Sequence, residues 1–147
     1  MKQIKKLICL ILITTLTTVL PVNVNAASTK TQTSTIILSD TKLSTYTLVL
    51  TRPTQVTSLR IKSTCRPTIT AYYKVRNKII PSTKSYIANV SYSLESLTPK
   101  IATIDSSGKT IVGKSAGKAS IRVKLKISRS GFSTYSRTYT LPVSVIK

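Results

Sequence analysis

The residues best suited to binding chemistry are three cations near the end of the sequence. In the stretch ASIRVKLKI, Arg122, Lys124 and Lys126 alternate with apolar residues. Successive side chains of a β-strand point to opposite faces, so these cations would form a row with about 7 Å between neighbours. The row could bind a polyanionic chain, or it could be a solvated face whose lysines discourage edge-to-edge aggregation. Arg60 and Lys62, which share this spacing, would extend the row on another strand.

The charge of the whole chain favours the same class of partner. The sequence contains 23 Lys and Arg against 3 Asp and Glu, a formal net charge of +20. Such a surface attracts polyanions through long-range steering and counterion release, so nucleic acid, anionic lipid, wall polymers and acidic polysaccharide are all admissible partners. Proteins that bind single-stranded nucleic acid interleave cations with exposed aromatic side chains. The seven tyrosines here fall mostly on predicted apolar strand faces, which disfavours nucleic acid.

Catalytic and metal-binding chemistry lack the side chains that they need. The sequence contains no histidine, the residue whose ordinary pKa suits general-base catalysis near neutral pH. The carboxylates Asp40, Glu95 and Asp105 are far apart in sequence and too few for a calcium site. Cys65 has no histidine to activate it as a nucleophile. We therefore predict a protein that is not an enzyme and that has no catalytic residues, no metal and no cofactor.

The first 26 residues have the organisation of a secretory signal peptide. Lys2, Lys5 and Lys6 form a positively charged start, LICLILITTLTTVL is apolar, and VNVNA ends in small residues suited to cleavage after Ala26. The alternative is a retained membrane anchor, but the apolar run is shorter than the ~20 residues that a span requires and is diluted by threonines. We therefore predict a secreted protein, extracellular or associated with the cell surface, with no membrane span after cleavage.

Cleavage would leave residues 27–147, enough for one domain. Residues 27–35, ASTKTQTST, contain no large apolar side chain, so we predict a flexible polar leader there and a single domain over residues 36–147. Cys9 leaves with the signal peptide, so Cys65 has no partner in the mature chain. Cys65 is then either a lone thiol that packs as a small hydrophobic group or half of an intermolecular disulfide.

From residue 36 onward, short apolar segments alternate with segments rich in Pro, Gly, Ser, Thr and Asn, a pattern typical of β-strands joined by turns. We predict strands over residues 36–38, 46–50, 56–62, 68–76, 87–93, 101–104, 110–112, 119–127 and 135–145. In several of these strands apolar and polar residues alternate cleanly, which indicates antiparallel sheets with one face in water. So many short strands predict an all-β fold in which two antiparallel sheets pack as a sandwich.

The last predicted strand breaks the alternation. In YSRTYTLPVSV, Arg137 shares the parity of Tyr135, Tyr139 and Leu141, which would face the core. Either the buried part of the strand begins after Arg137, or a bulge resets the register there. Pro142 would remove a ladder donor, which suits an edge or a bulge.

The segment before and within the cationic strand has a recognisable arrangement. PKIATIDSSGKTIVGKSAGKASIRV resembles the signature of group 2 bacterial immunoglobulin-like domains, which consists of a short strand, a glycine turn, a second short strand, an Ala-Gly turn and a third strand. The matching residues are Ile101, Ala102, Thr103, Ile104 and Asp105, then Gly108, then Ile111 and Val112, then Ala116 and Gly117, and finally Ala119, Ser120 and Ile121. This resemblance implies an immunoglobulin-like antiparallel β-sandwich.

The sequence supports two hypotheses about function, a recognition module and a polyanion-binding protein. The resemblance implies a bacterial extracellular module for surface recognition, adhesion or a structural role, with a carbohydrate, a wall polymer or a surface protein as its partner. The alternative is a basic protein that binds polyanions and is retained on cell-wall or matrix polymers by electrostatics. Charge-driven retention weakens steeply as ionic strength rises, whereas recognition by shape does not, so salt discriminates between them.

Three residues of the resemblance have structural roles that follow from their chemistry. Gly108 and Gly117 are predicted to have positive φ, a conformation that glycine adopts at little cost. Asp105 is predicted to cap its turn by accepting hydrogen bonds from the backbone that follows it.

Overall fold

The computed structural model describes residues 27–38, 46–75 and 84–147, and in these ranges the chain forms β-strands and no helix. The strands are β1 (Ser28–Leu38), β2 (Tyr46–Arg60), β3 (Thr64–Cys65), β4 (Thr70–Val75), β5 (Lys84–Ile87), β6 (Asn89–Ser96), β7 (Ala102–Ile104), β8 (Ile111–Gly113), β9 (Gly117–Ser128) and β10 (Tyr135–Ile146). Over the described ranges, no helix has the length and apolarity needed to cross a membrane. The predicted signal peptide, residues 1–26, lies outside them, as do Asp40 and Arg76.

Two sheets contain these strands. The larger has seven strands in the order β5-β4-β2-β10-β9-β6, with β1 also paired to β2, and the smaller has the order β3-β8-β7. Every described pair is antiparallel except β2 with β10, which is parallel. The prediction of an all-β fold with two sheets is confirmed, and the arrangement is consistent with a β-sandwich.

The long strand β2 joins two parts of the larger sheet. Residues 46–51 of β2 pair with β4, whereas residues 56–60 pair with β10. Val56 pairs both with Thr29 of β1 and with Val143 of β10, so β1 lies along the opposite edge of β2. The strands on either side of this change of partner direct their apolar side chains into the same core.

The core consists of the inward side chains of β2, β4, β9 and β10, with contributions from shorter elements. Its fully buried larger members are Tyr46, Tyr73, Leu48, Leu50, Leu59, Ile111, Ile121, Ile127, Leu141, Val56, Val123 and Val143. Among the described residues none of the buried ones is polar or charged, apart from tyrosine hydroxyls. Burying a side chain of this size contributes about 1.5–3 kcal/mol, so this shared core is the main stabilising feature of the fold.

The loop between β9 and β10 is fastened to β2 and β4 through aromatic contacts. The ring of Phe132 stacks on Tyr73 with centroids 4.5 Å apart and meets Tyr46 edge-on at 5.2 Å. The N–H of Ser133 donates to the Tyr46 hydroxyl at 3.0 Å, and its carbonyl accepts from the Tyr73 hydroxyl at 3.3 Å. Aromatic pairs of this geometry contribute about 0.5–1.5 kcal/mol beyond their buried area.

The N-terminal segment differs from the prediction. Residues 27–35 are predicted to be a flexible leader, but strand β1 begins at Ser28 and pairs with β2 along its length. An edge strand can form without burying its side chains, because the neighbouring strand satisfies its backbone hydrogen bonds. Threonine also has a high β-propensity. The polar composition of this segment therefore reflects an exposed strand.

Strand boundaries differ elsewhere for local reasons. Strand β2 runs through residues 51–54, which lie between two predicted strands, and so merges those strands into one. Strands β5 and β6 replace the single strand predicted over residues 87–93, with Ala88 between them. Strand β3 has two residues, too few for a periodic signal. The alternation of apolar and polar side chains could not have predicted any of these three differences.

Strand β10 pairs with β9 without a register shift, so no bulge in this ladder accounts for Arg137. Arg137 is exposed, and the fully buried part of the strand begins at Leu141, which confirms the first of the two alternatives. Pro142 lies opposite Ser120, whose backbone N–H and C=O bond to residues 97–98 and not to β10. Proline therefore removes no hydrogen bond between β9 and β10.

The turn after β7 has the predicted aspartate cap. The carboxylate of Asp105 accepts hydrogen bonds from the Ser107 hydroxyl at 2.7 Å and from the Thr110 N–H at 3.2 Å. The hydrogen bond from Ser107, with further bonds from the backbone, lowers the pKa of Asp105 below its ordinary value. Gly108 has φ of +69°, as predicted, and its N–H donates to the Asp105 carbonyl. Asp105 and Gly108 are thus structural residues of one turn.

Two other glycines permit close packing. Gly117 has φ of +148°, as predicted, and a Cβ there would lie 3.1 Å from Cδ1 of Ile101. Gly113, which the sequence did not single out, allows no Cβ at all, because it would lie 2.6 Å from the carbonyl oxygen of Arg60. Backbone hydrogen bonds join Gly113 to Lys62 and Ser63, so this glycine lets the smaller sheet approach the end of β2.

Cys65 is a free thiol packed against the core. Its Sγ lies 4.0 Å from the Thr29 hydroxyl oxygen, and burial raises its pKa above the ordinary value. A protonated, half-buried thiol behaves as a small hydrophobic group. The intermolecular disulfide stays an untested alternative.

Candidate polyanion-binding face

The predicted row of cations lies on the outer face of strands β6, β9 and β10, which we call the cation face. The apolar residues of β9 are buried, while Lys124 and Lys126 are exposed and Arg122 is half-buried. The predicted division of β9 into an apolar and a cationic face is therefore confirmed. Regular strand geometry places neighbouring cations about 7 Å apart.

Polar side chains flank the cations on both sides, because β9 lies between β6 and β10, and all of them except Glu95 carry a hydroxyl. Lys126 is opposite Ser91 and Ser136, Lys124 is opposite Ser93 and Thr138, and Arg122 is opposite Glu95 and Thr140. Directly opposite residues share a face of the sheet. Ammonium groups donate hydrogen bonds, and hydroxyls both donate and accept them. The face can therefore contact the anionic oxygens and the hydroxyl groups of one polymer at the same time.

The shape of the cation face suits an extended ligand. Between β6 and β10 it forms a shallow, open groove whose lining includes Ser91, Ser93, Lys124, Lys126 and Ser136. Sites for small molecules are concave and bury most of the ligand, which an open sheet surface does not do. A chain lying along β9 would meet one cation for every two residues of strand.

Glu95 reduces the positive charge at one end of the row. Its carboxylate lies 3.2 Å from Nη1 of Arg122 and 3.3 Å from Nζ of Lys124. The hydrogen bonds from Lys124 and then Arg122 lower the pKa of Glu95, so it is ionised at neutral pH. Lys126 forms no ion pair with the acidic residues that the structure describes. The unneutralised charge of the row is consequently concentrated toward Lys126.

Arg60 and Lys62 do not extend this row, contrary to the prediction. Arg60 is exposed and pairs with Ile146 at the far end of β10, six residues beyond the partner of Arg122. Six residues of strand span about 20 Å. Lys62 follows in a turn with φ of +65°, where its N–H donates to the Gly113 carbonyl. These two cations form a separate positive region at the opposite end of the sheet.

The role of Glu95 could not be recognised from the sequence, because it depends on the register between β6 and β9. Residues 91, 93 and 95 do alternate with half-buried and buried residues, and residues 138 and 140 flank the half-buried Tyr139, although Arg137 before them is exposed. That alternation could have shown two polar columns. Only the pairing of strands shows that they flank the cations.

A second outer face contains the tyrosine that the sequence places beside basic residues. Tyr72 lies on β4 with Nζ of Lys74 5.6 Å from its ring centroid, and its neighbour on β5 is Ile87, which is 81% exposed. The described part of this face holds one such aromatic residue. A platform for several stacked bases requires more of them.

The described residues offer no grouping suited to a metal. No three of their His, Cys, Asp and Glu side chains come together in a possible ion site. Glu95 and Asp105 are both occupied by hydrogen bonds from their own surroundings.

Comparisons with known proteins leave the resemblance without independent support. No protein-family model matches the sequence. No curated protein matches it either. The likeness to group 2 bacterial immunoglobulin-like domains therefore depends on residues 99–123 as they stand in this sequence.

Proposed function

We propose that this chain is a secreted, non-enzymatic module of the bacterial immunoglobulin-like type, and that its cation face binds polyanionic polymers at the cell surface. The observation that carries the proposal is the column of cations on β9 between two columns of polar side chains, in which every position except Glu95 carries a hydroxyl. Scattered surface lysines would keep a protein soluble but would not produce this alignment.

The charge of the chain supports the same ligand class. A formal net charge of +20 attracts a polyanion over long range and raises the rate of encounter. Local contacts on the cation face would then hold the polymer in one orientation. Wall polymers with repeated phosphates and acidic polysaccharides both combine anionic groups with free hydroxyls, which the two side-chain types on this face complement.

The test compares two triple variants of equal charge. R122Q/K124Q/K126Q removes the row, whereas K100Q/K109Q/K114Q removes three exposed cations from turns. Binding to isolated cell walls and to heparin-like resin is measured between 0.05 and 0.5 M salt. We expect the first variant to lose about tenfold or more in affinity and to show a shallower salt dependence by up to about one unit per phosphate contact.

The control variant should bind nearly as the original chain does. Equal losses in the two variants would show that net charge alone matters and that the cation face has no special role. Thermal melts of both variants establish that they are folded, which we expect because none of the six side chains is buried.

A second candidate function is recognition of a surface protein or neutral carbohydrate by shape, which the family resemblance favours. Its binding would change little between low and high salt. Separating cells into medium, salt-washed wall and membrane fractions distinguishes the two, because salt releases a protein retained by charge and leaves one retained by shape.

A further inference from the structure

Strand β1 is a long sheet edge with little to protect it. It has eleven residues, and β2 is the one strand paired with it among the described residues. Native edges are commonly protected by short length, charge, proline or a bulge. In β1, Lys30 and the register shift beside it lie near the beginning, and residues 31–38 contain neither a charge nor a proline.

The other outer strands of the larger sheet are better protected. Strand β5 has four residues. Strand β6 carries the charged Glu95, and the N–H of Leu94 is already bonded to the Gly108 carbonyl across its outer side. Strand β1 is therefore the edge on which another strand could be added over the greatest length.

Hydrogen bonds inside the sheet show which groups of β1 face outward. The Ala71 carbonyl accepts from the Ala88 N–H, so Ala71 directs its backbone groups away from β2. Its partner Leu50 then directs its own groups toward β1, where it lies opposite Ser34. Because these directions alternate along a strand, the odd-numbered residues 31–37 direct their N–H and C=O groups toward the outer edge, where no strand of the described ranges pairs with them.

A side-chain contact supports this assignment. The hydroxyl oxygens of Thr33 and Thr51 lie 2.8 Å apart across the β1–β2 pair. Side chains approach most closely at pairs that do not exchange backbone hydrogen bonds. The backbone groups of Thr33 thus point away from β2, as the alternation requires.

The absence of charged residues from positions 31–38 indicates what kind of strand could pair with this edge. An acidic peptide would find no cation along residues 31–38, so a neutral strand rich in β-branched residues is the better match. Residues 31–38 of a second copy are such a strand. Each copy carries a net charge of +20, so two copies can associate only where charge is sparse, and β1 offers that place.

We propose that a second copy of this chain pairs its β1 antiparallel with this edge, about a two-fold axis at Ser34. Thr33 of one copy then lies opposite Thr35 of the other. The two Lys30 side chains are eight residues apart along the strands, about 27 Å, which exceeds the Debye length of about 8 Å at physiological ionic strength. This pairing continues the larger sheet from one copy into the next.

Salt should act on this association in the direction opposite to its effect on polyanion binding. Sedimentation velocity of the purified chain from 0.05 to 0.5 M NaCl should show dimers that strengthen by about tenfold, because salt screens the repulsion between two cationic copies. A chain that stays monomeric throughout, or that dissociates as salt rises, would overturn the proposal. Neither result bears on the cation face, which lies on other strands.

Variants test the register. T33K/T35K places like charges directly opposite each other at two symmetry-related pairs and should weaken the dimer by about tenfold. T33K/T35E places opposite charges there and should retain it. T68K/S130K adds two exposed lysines away from β1 and should also retain it. A T33K/T35K chain that dimerises as the original does, or a T33K/T35E chain that fails equally, would overturn the proposed pairing.

Discussion

Glu95 determines how much positive charge the cation face presents. Its carboxylate is shared between Arg122 and Lys124, yet all three side chains remain substantially exposed. Exposed ion pairs contribute little to stability, since water and salt screen them. The larger consequence of Glu95 is electrostatic, because it competes with any anionic ligand for the same two cations.

Replacing Glu95 by Gln should therefore strengthen polyanion binding. The change frees Arg122 and Lys124 and adds one unit of net positive charge, so we expect affinity for a heparin-like polymer to rise about three- to tenfold with a steeper salt dependence. Titrations at several ionic strengths measure it. Ser130→Lys adds the same charge in a loop as a control, and an E95Q gain no larger than that of S130K would contradict this role.

The two described acidic residues should make stability depend on pH. Both Glu95 and Asp105 have pKa values lowered in the folded chain by hydrogen bonds to their carboxylates. Their contribution is fully present above their ordinary pKa values of about 4.3 and 3.9, and is lost as the pH falls through the lower folded values.

We therefore expect the melting temperature to fall as the pH is reduced from about 5 toward 2. In E95Q and D105N the fall should be smaller, since each variant lacks one group that gains protons. Melting curves followed by circular dichroism measure both. An E95Q/D105N double variant with the same pH dependence as the original chain would be inconsistent with these hydrogen bonds.

At the scale of strands, the alternation of apolar and polar residues predicts a strand whose one face is buried. It does not predict a strand that is held only by hydrogen bonds to its neighbour. Strands β9 and β10 could be predicted because their inward residues are apolar and their outward residues polar. The end of β1, residues 36–38, could also be predicted, but residues 28–35 could not, because their exposed polar side chains carry no such signal and their backbone bonds to β2 hold them in place. The relation of Glu95 to Arg122 was hidden for the same reason, since register is a property of two strands.

The two sheets approach each other closely at Gly113, so replacing this glycine should destabilise the fold more than replacing Gly108 in its turn. Gly113→Ala places a methyl group 2.6 Å from the Arg60 carbonyl oxygen, so backbone must move. We expect a loss of about 1–3 kcal/mol in the free energy of unfolding. Gly108→Ala meets no atom within 4 Å and should cost about 1 kcal/mol for its positive φ alone. Denaturant titrations compare them, and a larger loss at Gly108 would contradict the packing described here.

For the whole molecule, one charge distribution has two opposite consequences. The net charge of +20 draws polyanions to the chain and keeps separate copies apart. A bound polyanion would neutralise part of that charge on the cation face and thereby reduce the repulsion that opposes pairing through β1. Polymer binding and self-association should then strengthen each other most at low salt, where the repulsion between two unbound copies is least screened.

The location of a bound polymer tests the central claim most directly. Amide NMR spectra of the chain titrated with a short polyphosphate should show the largest shifts at residues 91–93, 124–126 and 136–138, which belong to the three strands of the cation face. The shifts should disappear together as salt is raised, because they report one electrostatic site. Shifts concentrated around Tyr72 and Lys74, or spread evenly over all basic residues, would contradict binding at the cation face.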